Sequence, residues 1–244
     1  MFNSLRIFTL GMLILATAPV TAGDLRPFSI TFDASDDTYS LGDVHIALTQ
    51  SDAKWSMRSV TTPSGMLRLL GHGEIRESSV MRVSAAHDQR APVVRTQRYS
   101  IEQDGGEPDR NVSASFKQGA KELTATDGTG NSTTLVRDSI IHSPLSVMLQ
   151  TMLWLRHQSI QTKSVPLLSR QRLKQTTLTV LGRENVKIGE TNYNTIRVAR
   201  SQSGGSRETH TWYAVDWEFA PVKMEQFKRG KLKLRLLANS IEID

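Results

Sequence analysis

The sequence predicts a mainly β protein, in which one strongly curved antiparallel sheet forms a half-barrel or open barrel around one principal inserted α-helix. Over most of the 244-residue chain, short segments alternate apolar and polar residues, as half-buried strands do. Clusters of Gly, Pro, Asn, Asp and Ser separate these segments at short intervals, which is typical of antiparallel strands joined by turns. One long apolar segment breaks the alternation and predicts the helix.

The first residues predict a secretory signal peptide over 1–22. Arg6 precedes an apolar run, and Val20 and Ala22 occupy the small-residue positions that a signal peptidase reads. The run is shorter than the roughly 20 residues of a membrane-spanning helix. We therefore expect a periplasmic mature chain without a transmembrane span, consisting of a single curved-sheet domain over 23–244.

Three alternating segments follow in the N-terminal third. In the third of them we expect a register change, because Trp55 and Met57 alternate but the next apolar residue is Val60. GEIRESSVMRVSAA and VVRTQRYSIEQ continue the strand pattern, and NVSASFKQGAKELTATDGTGNSTTLV reads as a hairpin of short polar strands. The apolar faces of the first two segments consist of Phe28, Ile30 and Phe32, and of Val44, Ile46 and Leu48.

The segment SPLSVMLQTMLWLRH (Ser143–His157) predicts the helix. Ser143 suits the N-cap and Pro144 suits the first helical position. Little polar face remains, and a helix that is apolar nearly all round is usually buried on several sides. An ordinary core helix and a cover over a hydrophobic cavity both fit this pattern. The stripe residues are Leu145, Met148, Leu149, Met152 and Leu155, and most of the polarity comes from Gln150, Thr151 and Arg156.

After QTKSVPLLS, which reads as a linker, strands return. QTTLTVLGRENVKIGETNYNTIRVARSQ predicts two or three strands, and the last two strands form a hairpin that turns over 228–231. In KLKLRLLA, leucines alternate with basic residues, so this strand has one apolar and one basic face. We predict that Lys231, Lys233 and Arg235 contact an anionic surface, with an ordinary solvated outer face as the alternative.

No motif predicts an enzyme, a metal site or a cofactor. Cysteine is absent, and six histidines lie without ligand spacing. No GxSxG or phosphate-binding loop is present. Glu74, Glu77, Asp216 and Glu218 could act on glycans only by residue type, and the aromatic residues near the last pair fit core packing better than sugar stacking. The net charge of +6 is dispersed, and nucleic acid is not an expected partner of an exported protein.

The order of several motifs also resembles a known family. RDSIIHSPLSVMLQTMLWLRHQ is followed far downstream by TWYAVDWEFAPVKMEQFKRGKLKLRLLA, and PVVRTQRYSIEQ precedes both. Together they resemble the exported bacterial domain of unknown function numbered 3108, from about Leu25 to Ile243; SGMLRLLGHGEI departs most from it. The matching positions are Pro92, Tyr99, Asp138, Leu145, Trp212, Asp216, Pro221 and Val222.

This resemblance implies a strongly bent antiparallel sheet, similar to the half-barrel of periplasmic lipoprotein carriers and receptors of the LolA/LolB type. It implies no reaction and no catalytic residues.

The leading hypothesis is a periplasmic binding module. It holds a hydrophobic ligand, such as a lipid, an acyl chain or a lipidated protein, between the concave sheet and the covering helix. The alternative is a structural or interaction protein of the cell envelope that contacts an anionic glycan or a protein partner. An enzyme acting on envelope glycan or lipid is a third alternative. The predicted ligand-binding residues are Leu149, Met152, Trp154 and Leu155 on the helix, and Ile30, Phe32, Ile46 and Trp55 on the sheet.

Overall fold

One antiparallel sheet forms most of the described structure. The computed structural model describes residues 25–84, 91–105 and 110–244, and the predicted signal peptide lies outside them. Within these residues the sheet has 14 strands. They are β1 (Phe28–Ser35), β2 (Ser40–Ser51), β3 (Lys54–Pro63), β4 (Ile75–Val83), β5 (Val94–Gln103), β6 (Val112–Lys117), β7 (Glu122–Asp127), β8 (Ser132–Val136), β9 (Thr162–Ser169), β10 (Arg172–Ile188), β11 (Thr191–Gln202), β12 (Arg207–Ala214), β13 (Ala220–Lys228) and β14 (Lys231–Ile243).

The strands form two meanders, β1–β8 and β9–β14, which are joined where β1 pairs with β14. The order is β8-β7-β6-β5-β4-β3-β2-β1-β14-β13-β12-β11-β10-β9. The first strand therefore pairs with both β2 and β14, and β8 and β9 are the two edges of the sheet. The predicted fold class is confirmed: the protein is mainly β, with one large antiparallel sheet that is curved but not closed.

A short segment between β8 and α2 bridges the β6–β7 connection and the edge strand β9. The Ile141 amide donates to the Ala120 carbonyl at 2.7 Å, and the His142 amide donates to the Pro166 carbonyl at 3.0 Å. Ile141 and Leu168 also pack with side chains of β5, β6 and β7 in a small second core. The sheet is thus an open barrel whose ends are held together by this bridge and by apolar contacts.

The predicted helix is confirmed as α2 (Pro144–Arg156), and a five-residue helix, α1 (Gly65–Leu69), lies between β3 and β4. A capping box begins α2: Ser143 Oγ accepts the Ser146 amide at 3.1 Å, and Ser146 Oγ accepts the Ser143 amide at 2.8 Å. Most apolar side chains of α2 belong to the main core, so the helix lies inside the barrel. No helix within the described residues is long and apolar enough to cross a membrane.

A row of buried hydrogen bonds attaches the first turn of α2 to the sheet. The hydroxyl oxygens of Ser79, on β4, and Ser143 lie 2.6 Å apart. Thr96, on β5, donates its hydroxyl to Ser146 Oγ at 2.8 Å. All four side chains are buried. Since buried hydroxyls without partners are destabilising, these pairings fix where the helix begins relative to β4 and β5.

The polar residues in the middle of α2 are buried too. Gln150 Oε1 accepts the Val94 amide at 2.7 Å, and Gln150 Nε2 donates to the Pro92 carbonyl at 2.9 Å. Thr151 donates to a carbonyl one turn earlier in the helix. These residues therefore do not form a solvent-exposed face. Their buried hydrogen bonds hold the helix rigidly against the sheet.

Two details of the predicted strands are wrong, and one turn is confirmed. The strand β3 keeps its register with β2 through Val60, so no register change occurs there. The predicted linker over 161–169 contains β9; Pro166 is tolerated in it because β9 is an edge strand. The predicted final turn is a two-residue loop in which Arg229 and Gly230 both have positive φ, as type I′ turns require.

The segment over 111–136 was predicted to be a hairpin of short polar strands and forms three of them, β6, β7 and β8. The third strand, β8, is almost entirely exposed at the edge of the sheet. The segment over 175–202 forms two long strands, β10 and β11, within the predicted number.

Candidate functional site

The size of the side chains that fill the barrel interior decreases along the strands β1 and β3. Along β1 the inward-facing side chains become smaller and end with an alanine. Along β3 they change from large apolar side chains to Ser59 and Thr61. One end of the interior is therefore filled by aromatic and sulfur-containing side chains, while small side chains leave space at the other end. In order, the inward residues are Phe28, Ile30, Phe32 and Ala34 on β1, and Trp55, Met57, Ser59 and Thr61 on β3.

A cavity of about 520 Å³ occupies the end with the small side chains. It lies beneath the first turn of α2, which contributes Pro144, Leu145 and Met148. Protein interiors rarely leave voids larger than a water molecule. A space of this size, lined mainly by apolar side chains, is therefore a candidate binding site. The apolar part of the opposite wall includes Leu41, Val44, Ile46, Ile75, Leu234 and Leu236.

Of the eight residues predicted to bind a ligand, Ile46 lines this cavity. The others fill the packed end: six of them are buried in the main core, and Trp154 packs against it. The apolar stripe continues unchanged along α2, whereas the cavity lies only at the first turn of the helix, so the predicted helix residues do not line it; their contact with a ligand stays a prediction. The six are Ile30, Phe32, Trp55, Leu149, Met152 and Leu155.

Two tight backbone contacts frame the segment that contains α1 beside the cavity. A Cβ on Gly42 would lie 2.1 Å from the Thr62 carbonyl oxygen, and a Cβ on Gly73 would lie 2.2 Å from the Asp104 carbonyl oxygen. Only glycine fits at such close approaches. Between these two fixed points, Leu69 and Leu70 are 88% and 68% exposed, while Leu67 and His72 line the cavity. The segment thus forms an apolar rim on one side of the cavity.

Charged and polar side chains form one part of the cavity wall. Glu77 on β4 and Arg200 on β11 both line it, and Tyr99 on β5 donates its hydroxyl to the Glu77 carboxyl group. The strands β4 and β11 are far apart in the sheet order. The two residues face the same cavity because the sheet curls until its two halves face each other.

Burial governs the protonation of these groups. It raises the pKa of Glu77 to about 7, and the Tyr99 hydrogen bond and the Arg200 charge oppose this in part. Burial and the nearby Glu77 raise the pKa of Tyr99. Burial lowers the pKa of Arg200, while Tyr213 and Glu77 oppose that shift. The Oε1 atom of Glu77 is buried and has no hydrogen-bond partner among the described residues.

The buried serine and histidine groups near α2 belong to its cap and not to the cavity. His142 Nδ1 lies 3.5 Å from Ser146 Oγ, but neither residue lines the cavity. Burial lowers the pKa of His142 to about 4, so this side chain is neutral near pH 7. No cluster of three or more metal-ligating side chains occurs among the described residues.

The predicted anionic-surface residues lie on the last strand, away from the cavity. Lys231 and Lys233 are exposed, whereas Arg235 Nε donates to Glu225 Oε1 at 3.0 Å. Glu225 also pairs with Lys223 at 3.0 Å. These contacts reduce the positive charge of the strand, and a glycan contact through it stays a prediction.

The aromatic cluster near the C-terminus packs as core. Trp212 and Tyr213 are buried, and Trp217 packs against the main core. Glu218 forms an ion pair with Arg156 at the end of α2, which ties the turn between β12 and β13 to the helix. The arrangement therefore offers no open stack of rings for a sugar.

The comparisons with known proteins agree with this architecture. The profile of a family described as protein of unknown function (DUF3108) matches residues 27–236. The chain belongs to the DUF3108 family. The resemblance inferred from the order of the motifs is thus confirmed. No curated protein matches the chain.

A solved structure from Brucella abortus, the β-barrel-like protein of domain of unknown function DUF1849, is similar in fold. The TM-score is 0.55 at 11% sequence identity, and the match covers 90% of this chain and 98% of that chain. At this identity the likeness concerns the fold alone. It supports a β-barrel-like architecture for this DUF3108 protein, and the finer likeness to LolA/LolB-type carriers stays a prediction.

Proposed function

We propose that the protein is a periplasmic binding module that holds a hydrophobic chain in the cavity beneath the first turn of α2. The observation that carries this proposal is the cavity itself, which has about 520 Å³ of space and a mainly apolar wall. Typical small-molecule sites have about 300–1,000 Å³ and combine an apolar lining with a few polar groups. The predicted signal peptide and the absence of cysteine favour an exported location.

The cavity is built before any ligand arrives. The buried hydrogen bonds of Ser143, Ser146 and Gln150 fix α2 to β4 and β5, so the helix acts as a wall rather than as a moving lid. A pre-formed site loses less conformational entropy when a ligand binds. The α1 segment, with its exposed leucines, is the apolar surface past which a chain would enter.

The apolar wall can provide only part of a tight affinity. Burying about 12 CH₂ groups contributes roughly 10 kcal/mol at ~0.8 kcal/mol each, and association costs of several kcal/mol oppose this. Since a micromolar Kd corresponds to about 8 kcal/mol, the chain alone binds more weakly than that. Polar contacts with the ligand are therefore needed for tight binding.

Filling the cavity tests the proposal. Thr61 lines the cavity, and Thr62, next to it on β3, is exposed on the outer face. Thr61→Phe should weaken binding of the neutral apolar dye N-phenyl-1-naphthylamine at least tenfold, because the ring occupies the space. Thr62→Phe adds the same ring outside the barrel and should leave the affinity unchanged. Dye fluorescence measures the affinity, and circular dichroism checks that both variants fold.

Three outcomes would contradict the proposal. In the first, the wild-type protein does not bind the dye. In the second, the dye binds equally well to the wild-type protein and to a folded Thr61→Phe variant, which would place it outside the cavity. Equal loss in both phenylalanine variants would count against the cavity in the same way.

A further inference from the structure

Arg200 lies where several cavities meet. It lines the main cavity and two neighbouring cavities of about 310 Å³ each. We infer that the ligand is an amphiphile whose apolar chain occupies the main cavity and whose anionic head, a carboxylate or a phosphate, binds at Arg200. This inference rests on the proposed function and specifies its ligand class.

The side chains around Arg200 favour an anion. Arg110 and Arg170 line one of the two neighbouring cavities, and Lys174 and Arg207 line the other. No carboxylate among the described residues lines either of these two spaces. These four side chains are exposed, so they place positive charge around the mouth of the junction, and positive charge attracts an anion from solution.

Within the described residues, Arg200 also lacks a direct ion pair. The acidic groups that raise its pKa are Tyr213 and Glu77. Tyr213 is buried and neutral near pH 7, because burial raises its pKa to about 12. Arg200 is partly buried, and a bound carboxylate or phosphate would supply the missing counter-ion with two parallel hydrogen bonds.

Glu77 provides the second polar contact. Its Oε1 atom is buried and has no partner among the described residues, while Tyr99 already donates to the carboxyl group. Glu77 lines the cavity, so when the carboxyl group is protonated and its side chain turns Oε1 towards that space, it can donate a hydrogen bond to an anionic oxygen. Arg200 and Glu77 together thus present hydrogen-bond donors to one head group, and the leucine and methionine side chains receive the chain.

A series of ligands with one chain and different heads tests the inference on the wild-type protein. Dodecanoate, dodecyl phosphate, dodecanol and dodecyltrimethylammonium compete with the neutral dye at pH 7. The two anions should displace it at concentrations at least tenfold lower than dodecanol, and the cation should be the weakest competitor. If phosphate is preferred over carboxylate, the natural head resembles a phospholipid; the reverse preference indicates a fatty acid.

Variants then assign the preference to Arg200. Arg200→Met, which keeps the length and removes the charge, should bring both anions to the level of dodecanol and leave dodecanol unchanged. Arg200→Lys should restore part of the anion preference. Lys228→Met removes an exposed charge that lies outside the walls of these three cavities and should retain the full preference. The series on the wild-type protein decides the matter if Arg200→Met does not fold.

The two proposals fail in different ways. If all four ligands displace the dye equally, or if the cation is preferred, the anionic head is refuted while the hydrophobic site stands. If Arg200→Met folds and keeps the anion preference, Arg200 is not the head-group contact. If no ligand displaces a bound dye, neither the proposed chain site nor its anionic head is supported, and both are refuted.

Discussion

Replacing Glu77 by Gln should change how the free energy of unfolding depends on pH. In the folded protein burial raises the pKa of Glu77 from its ordinary value of 4.5 to about 7. Below pH 4.5 this carboxyl group is neutral in both the folded and the unfolded chain, and it brings no penalty. As the pH rises to 7, the unfolded chain releases the proton first, so the folded state loses stability across this window.

The size of this effect follows from the pKa values. Each pH unit between them is worth about 1.4 kcal/mol, so ionisation of Glu77 removes about 3 kcal/mol of stability between pH 4.5 and 7.5. Glutamine has a similar shape and can still accept the Tyr99 hydroxyl, but it does not ionise. The stability of Glu77→Gln relative to the wild-type protein should therefore rise by about 3 kcal/mol across that range.

In the wild-type protein, His142 makes an opposite contribution to the pH dependence of the free energy of unfolding. Burial lowers its pKa from 6.5 to about 4, so its contribution is complete above pH 6.5 and is lost as the pH falls towards 4. The two slopes have opposite signs and similar size between pH 4.5 and 6.5. Between pH 4.5 and 6.5, the free energy of unfolding contributed by these two residues should stay nearly constant in the wild-type protein. In Glu77→Gln it should rise with pH.

Urea unfolding followed by tryptophan fluorescence at constant ionic strength, at half-unit steps from pH 4.5 to 7.5, measures the difference. Glu242→Gln, which removes an exposed carboxylate from β14, is the matched control and should show a much smaller pH-dependent difference. A stability difference between Glu77→Gln and wild type that stays constant over the range would refute the reasoning, because Glu77 would then not be a buried acid.

Two further predictions concern the frame of the cavity. Gln150→Leu leaves the Val94 amide and the Pro92 carbonyl without their partners, so it should lower the free energy of unfolding by about 2–4 kcal/mol; a change below about 0.5 kcal/mol in urea unfolding would mean that these bonds do not hold α2. Gly42→Ala should destabilise by about 2 kcal/mol or more, since φ is 131° and the new Cβ would lie 2.1 Å from the Thr62 carbonyl oxygen; a thermal midpoint equal to that of wild type would contradict this.

Local patterns predicted much of the fold. Alternation in β1 and β2, the N-cap before Pro144 and the final two-residue turn all depend on residues that are close in sequence, and each is confirmed. The strand β9 was missed, because Pro166 argues against a strand unless that strand is known to lie at an edge. Edge position depends on the order of the whole sheet, which no local pattern contains.

Local sequence patterns could not predict the polar residues of the site for a similar reason. Glu77 and Arg200 face the same cavity because the sheet curls. A signal was nevertheless present: Ile75, Glu77, Ser79 and Met81 alternate on one strand, so an acid interrupts an inward-facing series. A charged residue at an inward position of a predicted strand is therefore a useful indicator of a site. The position of the cavity along α2 depended on side-chain sizes in β1 and β3, which periodicity ignores.

A crystal structure of the complex with 12-bromododecanoate tests the central claim most directly, because the anomalous signal of bromine locates the end of the chain independently of the protein. We predict one bromine peak inside the cavity, beside Val44, Ile46 and Leu145, with the carboxylate within hydrogen-bond distance of Arg200. Bromine found only on the outer surface of the barrel, or a cavity closed by the protein's own side chains, would contradict the account.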